Sequence, residues 1–292
     1  MEHKSGYVNI IGKPNVGKST LMNAMVGEKL SIITSKAQTT RHRILGIVNH
    51  TDYQVIFSDT PGILEPSYKL QEVMLKAARS ALVDADILVY ITEAGDKPDP
   101  EDPFLQKLAD MKIPILLVIN KIDQSNQEQV EADIDTWDRL LPKAEKIPIS
   151  ALLKFNVKSI FNRILHHLPE SPPYYPKDAL TDKSERFLTG EMIREKILLQ
   201  YKQEIPYAVE VEIESFKEEK KLIRIYAVIF VEREGQKGIL IGNEGKALKR
   251  VGRESRIEME AFFAKKVFLE LKVKVKKEWR NSDYQIKKFG YR

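Results

Sequence analysis

The chain has 292 residues, of which 42% are hydrophobic and 30% charged, and its formal net charge is +5. These values are typical of a globular protein with room for two domains, and the absence of cysteine excludes disulfides and thiolate metal sites. No stretch approaches the roughly 18 uncharged apolar residues of a transmembrane helix, and no secretion signal is recognisable, so a cytoplasmic protein is expected.

The first 170 residues are predicted to form an α/β domain. Apolar runs alternate with helical patterns, with strands at 7–11, 43–48, 53–58, 86–92, 113–119 and 146–149 and helices near 18–27, 69–82, 101–111, 126–141 and 156–167. The runs 87–91 and 115–119 are apolar on both faces, as in a parallel sheet covered by helices. The pattern predicts a doubly wound domain that binds its ligand at the carboxyl ends of the strands.

A phosphate-binding motif follows the first predicted strand. Gly12, Gly17, Lys18 and Ser19 fit the pattern G-x-x-x-x-G-K-[ST]. The backbone N–H groups of such a loop face phosphate oxygens, the lysine reaches the β- and γ-phosphates, and the serine hydroxyl binds Mg²⁺. The predicted contacts of the nucleotide in this loop are Gly12, Lys13, Pro14, Asn15, Val16, Gly17, Lys18, Ser19 and Thr20.

A second motif, D-T-P-G, follows the third predicted strand. Asp59 can hold Mg²⁺ through water, and Gly62 can offer its N–H to a γ-phosphate, with Thr60 and Pro61 completing the contact. The same four letters also make a common turn. Their position after the phosphate loop, at the end of a later strand, favours the nucleotide site.

Two later loops predict which base is bound. Asp123 can accept hydrogen bonds from the N1–H and 2-amino groups of guanine, whereas adenine would leave this carboxylate unpaired. Asn120 is expected to tie this loop to the phosphate loop, and the stem of Lys121 to cover one face of the base. In the later segment I-S-A-L, the N–H of Ala151 is the candidate donor to the guanine 6-oxo group, with Ser150 bracing the loop.

The order of these motifs, together with K-A-Q-T-T-R-H-R-I-L-G-I at 36–47, closely resembles the Era family of bacterial GTPases, which are Ras-like, over essentially the full chain. The resemblance implies hydrolysis of GTP to GDP, with Thr40 as the switch ligand of Mg²⁺ and γ-phosphate and Thr39 as the alternative. The implied Mg²⁺ ligands are Ser19, Thr40 and Asp59, and the implied catalytic residues are Lys18, Thr40 and Gly62.

One position departs from the Ras pattern. Ras has a glutamine after the glycine of D-x-x-G that orients the attacking water, and this chain has Ile63. Related GTPases with an asparagine in the phosphate loop use a potassium ion. Asn15 is therefore a candidate K⁺ ligand, and a residue that only braces the loop by a hydrogen bond is the alternative.

A proline-rich segment separates two parts of different charge. The stretch L-P-E-S-P-P-Y-Y-P-K-D-A-L-T-D at 168–182 is rich in proline, and residues 171–183 are predicted to form a stiff, extended linker. The chain before residue 174 carries 20 basic and 22 acidic residues, and the rest carries 27 and 20. The basic C-terminal part suggests a polyanionic partner, with a solvated lysine-rich surface as the alternative.

The predicted C-terminal domain, 184–292, is α+β. A helix at 184–202, strands at 208–216 and 222–232, two helices joined by G-N-E-G, and an alternating strand at 269–275 follow in order. A G-x-x-G between helices is typical of KH domains, where the nucleic-acid backbone approaches the glycines and a groove takes about four unpaired bases. The predicted RNA contacts are Ile239, Ile241, Gly242, Asn243, Glu244, Gly245, Lys246, Lys249 and Arg250.

The acidic residue in the G-x-x-G loop and the C-terminal tail are two further features of this domain. Glu244 stands where many KH loops have a basic residue, which shifts phosphate contact to the flanking lysines. The tail from residue 276 onward is interpreted as a capping helix, a basic anchor, or both.

The resemblance implies a partner as well as an activity. It implies binding of the 3′ region of 16S ribosomal RNA and a role in assembly of the 30S subunit, by a monomer. The alternative is a signalling GTPase whose C-terminal domain binds protein or the inner face of the cell membrane. Asn120 to Asp123 argue against a P-loop ATPase or nucleoside kinase.

Overall fold

A computed structural model of the protein describes residues 3–291. The chain divides into two compact units. The first takes in the residues up to Ser31, Thr40–Glu65 and Met74–Asp182, and the second takes in Ile32–Thr39, Pro66–Val73 and the residues from Lys183 onward. Within the described range, no helix has both the length and the apolar character needed to cross a membrane.

The N-terminal part has the predicted alternation of strands and helices. Its strands are β1 (Lys4–Ile11), β2 (Ile44–Asn49), β3 (Tyr53–Asp59), β4 (Ile87–Glu93), β5 (Ile115–Asn120) and β6 (Glu145–Pro148). Its helices are α1 (Lys18–Val26), α2 (Lys69–Ser80), α3 (Pro103–Ala109), α4 (Gln127–Leu140) and α5 (Val157–His167).

One sheet joins the six strands in the order β2-β3-β1-β4-β5-β6. All neighbours are parallel except β2 and β3, which pair antiparallel. The exception has a simple cause, because only residues 50–52 connect these strands and a parallel pair needs a crossover of a dozen residues or more. The prediction of a doubly wound α/β fold is confirmed.

The central strands of this sheet are buried on both faces. Leu88, Val89, Leu117 and Val118 are fully buried, which agrees with the continuous apolar runs in the sequence. Because β1, β3, β4 and β5 are parallel, their carboxyl ends meet at one edge of the sheet. The phosphate-loop, D-T-P-G and N-K-I-D motifs follow β1, β3 and β5, and the I-S-A-L segment follows β6, which is parallel to β5.

The segment predicted as a linker packs against the first unit. Leu180 O accepts a hydrogen bond from Ile47 N at 2.8 Å, and Ala179 O accepts one from Asn49 Nδ2 at 2.8 Å. Gln54 Oε1 accepts the N–H groups of Tyr174 and Tyr175 at 2.8 and 2.9 Å. Residues 174–182 are therefore held along β2 and β3 rather than being a free spacer.

The C-terminal part has helices α6 (Glu185–Gln200), α7 (Ile205–Ala208), α8 (Glu234–Ile241), α9 (Lys246–Phe263) and α10 (Asp283–Lys288). Its strands are β7 (Glu210–Glu218), β8 (Leu222–Val231) and β9 (Lys266–Val275), in the order β7-β8-β9. β7 and β8 are antiparallel, and β8 and β9 are parallel. Ile193, Ile225, Ile229, Val251 and Met259 contribute to a core between this sheet and the helices. The predicted smaller α+β domain is confirmed.

The tail after β9 folds back onto this unit. Trp279 is fully buried and donates its indole N–H to Ala208 O at 2.9 Å, and the Tyr291 hydroxyl donates to Glu210 Oε2 at 2.6 Å. Lys287 and Lys288 on α10 stay exposed. The tail is thus both an apolar cap and a bearer of exposed basic groups.

Candidate nucleotide-binding and nucleic-acid-binding sites

The phosphate loop lies between the end of β1 and the start of α1. Gly12 has φ 154° and Gly17 has φ 105°, where a side chain would be strained. A Cβ at Gly12 would lie 2.2 Å from Ile91 O. The chain therefore turns tightly between β1 and the N-terminus of α1, and a helix N-terminus favours an anion.

Lys18 is buried in the same loop. Its Nζ donates to Lys13 O at 2.7 Å and to Gly12 O at 3.2 Å. Burial lowers the pKa of Lys18 to about 8, and the negative charge of Asp59 acts in the opposite direction. Within residues 3–291 this buried ammonium group donates only to carbonyls, so it is suited to donate to phosphate oxygens as well.

Three oxygen-bearing side chains converge beside this lysine. Ser19 Oγ donates to Asp59 Oδ2 at 2.7 Å and lies 2.8 Å from Thr40 Oγ1, and Thr40 Oγ1 is 3.2 Å from the same carboxylate oxygen. Burial raises the pKa of Asp59, against the hydrogen bond from Ser19 and the charge of Lys18. Asp59 Oδ1 is buried without a hydrogen-bond partner anywhere in residues 3–291. Two hydroxyls and a carboxylate, one of whose oxygens has no partner within residues 3–291, fit a hard divalent cation such as Mg²⁺.

The two candidate switch threonines differ in their contacts. Thr40 is the one whose hydroxyl reaches Ser19 and Asp59. The hydroxyl of Thr39 donates to Lys36 O at 2.6 Å and contacts Thr34 Oγ1 at 2.6 Å. The geometry therefore favours Thr40 as the ligand.

The D-T-P-G motif packs directly against the phosphate loop. Thr60 Oγ1 donates to Ile10 O at 2.9 Å, and Ile63 N donates to Gly12 O at 3.3 Å. A Cβ at Gly62 would lie 2.8 Å from Pro14 Cα. Only a glycine lets this loop and the phosphate loop come so close, with Gly62 beside the expected phosphate position.

Asn120 joins the predicted base loop to the phosphate loop, as expected. Its Nδ2 donates to Val16 O at 2.7 Å, and its Oδ1 accepts Ala151 N at 2.9 Å. Ser150 Oγ accepts Leu153 N at 3.2 Å and so braces the third loop. One buried amide therefore holds three loops of the site together.

Asp123 and Ala151 are placed differently from one another. Asp123 is exposed, and its carboxylate forms no hydrogen bond with any part of the chain that the structure describes. It is thus open to a base. The N–H of Ala151, by contrast, is already used by Asn120, so the predicted bond to the guanine 6-oxo group requires this N–H to be shared or to change partners.

Two carboxylates that the motifs do not contain hold lysines of the site. Glu93, at the end of β4, forms a salt bridge with Lys121. Asp96, three residues later, pairs with Lys13 at 2.9 Å and accepts a hydrogen bond from Thr92 Oγ1 at 2.9 Å. The only signal in the sequence was their place after a strand whose carboxyl end borders the site.

The G-x-x-G loop of the second unit joins α8 to α9 as predicted. Gly242 has φ 71° and ψ 177°, and a Cβ there would lie 2.6 Å from Ala247 Cβ. Gly245 also has φ 71° but faces open space. Before the loop, Leu240 is buried in the core while Ile239 is 59% exposed. The exposed side chain of Ile239 thus lies beside two glycines, whose lack of side chains leaves room for the backbone of a nucleic acid.

The charges around this loop are partly neutralised. Glu244 pairs with Lys246 at 2.8 Å, and Arg250 pairs with Glu254 at 3.0 Å. Lys249 is exposed and forms no salt bridge within residues 3–291. Glu244 is expected to leave phosphate contact to the flanking cations. Of these, Lys249 is the one without a salt bridge within residues 3–291.

Comparisons with known proteins match both units. A family described as 50S ribosome-binding GTPase matches residues 7–121, and the KH domain family matches residues 204–280. The GTPase Era of Syntrophus aciditrophicus is 48% identical over 291 residues, which cover 99% of this chain and 95% of that protein. The chain belongs to the Era family of GTPases. It is therefore a GTP-hydrolysing enzyme with a C-terminal KH domain, as predicted.

Solved structures of Era agree in fold along the whole chain. A crystal structure of Era in complex with MgGDPNP and nucleotides 1506–1542 of 16S ribosomal RNA is 39% identical, with a TM-score of 0.94 and 99% of both chains covered. A variant of Aquifex aeolicus Era bound to GDP and AlF₄⁻ gives the same identity, TM-score and coverage. The Era fold thus extends from the phosphate loop to the tail.

Proposed function

We propose that this chain hydrolyses GTP at the phosphate loop and binds the 3′ region of 16S ribosomal RNA at the G-x-x-G loop during 30S subunit assembly. The main support for this proposal is that both sites occur in one chain. Ser19, Thr40 and Asp59 converge beside Lys18, and an Era with the same fold binds such an RNA. The KH match favours RNA over protein or membrane as the partner.

The nucleotide site assigns distinct roles to its residues. Ser19 and Thr40 would ligate Mg²⁺ directly, with Asp59 holding its water ligands, and this ion would neutralise phosphate charge. Lys18 and the N–H of Gly62 would contact the γ-phosphate, and Asp123 would select guanine. Residues 1–170 would carry this activity, residues 171–183 would connect it, and residues 184–292 would carry RNA binding, in a cytoplasmic monomer.

The RNA site is tested most cleanly at Gly245. Gly242→Asp would introduce a clash with Ala247, whereas Gly245 faces open space and aspartate tolerates a positive φ. We expect Gly245→Asp to weaken binding of an RNA with the sequence of nucleotides 1506–1542 at least tenfold, about 1.4 kcal/mol, because a negative charge opposes the RNA backbone. GTP hydrolysis without RNA should stay at the parent rate.

Gly245→Asn is the matched control, because it adds the same bulk without the charge. We expect it to lose much less affinity in the same fluorescence-anisotropy titration. If correctly folded Gly245→Asp bound the RNA as tightly as the parent, the proposal that the G-x-x-G loop holds the RNA would be wrong.

A potassium ion is proposed to assist hydrolysis. Ile63 cannot hydrogen-bond the attacking water, and Asn15 is exposed at φ 65° with a side chain that forms no hydrogen bond within residues 3–291. This lack of a hydrogen-bond partner supports a K⁺ ligand over the alternative of a loop-bracing asparagine. The free amide oxygen of Asn15 is available to a cation at the edge of the phosphate loop.

We expect GTP hydrolysis to be faster in KCl than in NaCl at equal ionic strength. Asn15→Gly keeps the positive φ and removes the amide, so it should abolish the difference between the two salts. Initial rates of phosphate release in both salts provide the measurement. Equal parent rates would contradict a potassium role and leave the charge stabilisation to a partner protein or RNA.

A further inference from the structure

Helix α9 carries a row of unpaired cations beyond the G-x-x-G loop. Lys249, Arg253 and Arg256, here called the α9 cation row, follow one another at spacings of four and three residues. Residues so spaced lie on one face of a helix. All three are exposed, and none forms a salt bridge with a carboxylate of residues 3–291.

The opposite side of α9 faces the core. Val251, Ser255 and Met259 are the buried residues of the helix and face the core. Most other charged residues nearby are paired, including Arg250 with Glu254 and Lys196 with Glu258. The row thus stays cationic on a surface where its neighbours are neutralised.

The position and length of the row fit a nucleic-acid backbone. It begins one turn after Gly245 and runs away from the loop along the same helix. Seven residues of helix rise about 10 Å, which is long enough to contact more than one phosphate of an RNA strand. Ile257, beside Arg256, is 58% exposed and offers an apolar surface to a base or ribose.

The row ends at a definite point. Glu260 lies on the same face, and its carboxylate accepts Val267 N at 3.1 Å and approaches Lys266 Nζ at 3.8 Å. A fixed negative charge there disfavours phosphate beyond Arg256. The cationic surface therefore has a beginning at the G-x-x-G loop and an end before the last turn of α9.

We propose that the α9 cation row binds the sugar–phosphate backbone of RNA outside the nucleotides held at the G-x-x-G loop. This extends the RNA site along the RNA backbone beyond the groove and rests on the proposed RNA-binding function. A KH groove takes about four bases, so the row acts only on a longer RNA. Its contacts are electrostatic and carry little base specificity.

The test compares two RNA lengths with the full chain. One probe has the sequence of nucleotides 1506–1542, and the other is a four-base RNA from the part that binds the groove. Arg253→Gln with Arg256→Gln should weaken binding of the long RNA at least tenfold in low salt. Each phosphate contact to a single strand contributes about 0.7 to the slope of log K against log salt, so this slope should become shallower by about 1.4. Binding of the four-base RNA should change less than twofold.

Two control variants separate the row from net charge. Lys217→Gln with Lys220→Gln removes the same charge from exposed, unbridged lysines in and after β7, and should leave both affinities near those of the parent. Arg253→Lys with Arg256→Lys should retain the parent salt slope. All four arginine and lysine positions are exposed, so the variants should fold.

The outcomes distinguish the two proposals. A parent that binds the long RNA no better than the Arg253→Gln/Arg256→Gln variant overturns the α9 cation row alone. Equal loss on the four-base RNA also overturns it, because the arginines would then belong to the groove. A parent that binds neither RNA overturns the proposed RNA-binding function and the row with it.

Discussion

Replacing Asp123 by asparagine is expected to move the nucleotide preference of the enzyme from guanosine to xanthosine triphosphate. The carboxylate is exposed and free of hydrogen bonds within residues 3–291, so it can accept the N1–H and 2-amino groups of guanine. An asparagine can accept the N1–H of xanthine and donate to its 2-oxo group. When a bound base covers this carboxylate, a mismatch of hydrogen-bonding groups gives about 10⁴-fold discrimination.

Competition between GTP and XTP for the parent and the Asp123→Asn variant measures this shift. Asp135→Asn is the matched control, because it makes the same change on the exposed side of α4. That variant should keep the parent preference. If Asp123→Asn retained full preference for GTP, the base would have to be read by other groups.

Lys18→Met is expected to lower single-turnover GTP hydrolysis by about 10²- to 10³-fold, the usual cost of removing a group that stabilises developing charge. In the part of the chain that the structure describes, the buried ammonium donates only to the carbonyls of Gly12 and Lys13. It can therefore turn to the phosphates without breaking a salt bridge. Methionine has similar length and fills the same space without charge.

Lys112→Met controls for the loss of a lysine. Lys112 is exposed in the segment before β5, at the other end of that strand from the base loop, and its replacement should leave hydrolysis near the parent rate. Circular dichroism should show both variants folded. Hydrolysis by Lys18→Met within threefold of the parent at saturating GTP would contradict the assigned role.

The features that could be predicted from the sequence are those set by residues that are neighbours along the chain. The strands of the α/β sheet were predictable because their apolar runs are uninterrupted, and Ser19 and Asp59 because each belongs to a short motif at the carboxyl end of a strand. The antiparallel pairing of β2 and the start of β9 at Lys266 were not predicted. Helix α7 was missed because four residues are too few to show a helical period.

The features that were not predicted depend on partners distant in sequence. Glu93 meets Lys121, and Asp96 meets Lys13, only because β4 lies between β1 and β5. The N–H of Ala151 is used by Asn120, 31 residues away. Residues 174–182 read as a linker because prolines disfavour regular structure, whereas their carbonyls and N–H groups find partners on β2 and β3.

Asn120 makes the recognition of the two ends of the nucleotide thermodynamically linked. Its amide donates to Val16 O in the phosphate loop and accepts Ala151 N in the base loop, so a shift in one loop strains the other. Aspartate could satisfy only the second bond and leucine neither. A Cβ at Gly17 would lie 2.2 Å from Asn120 Nδ2. Position 17 belongs to the phosphate-binding motif, yet it must be glycine partly because a larger residue would clash with Asn120. Asn120 is the residue that positions the base loop.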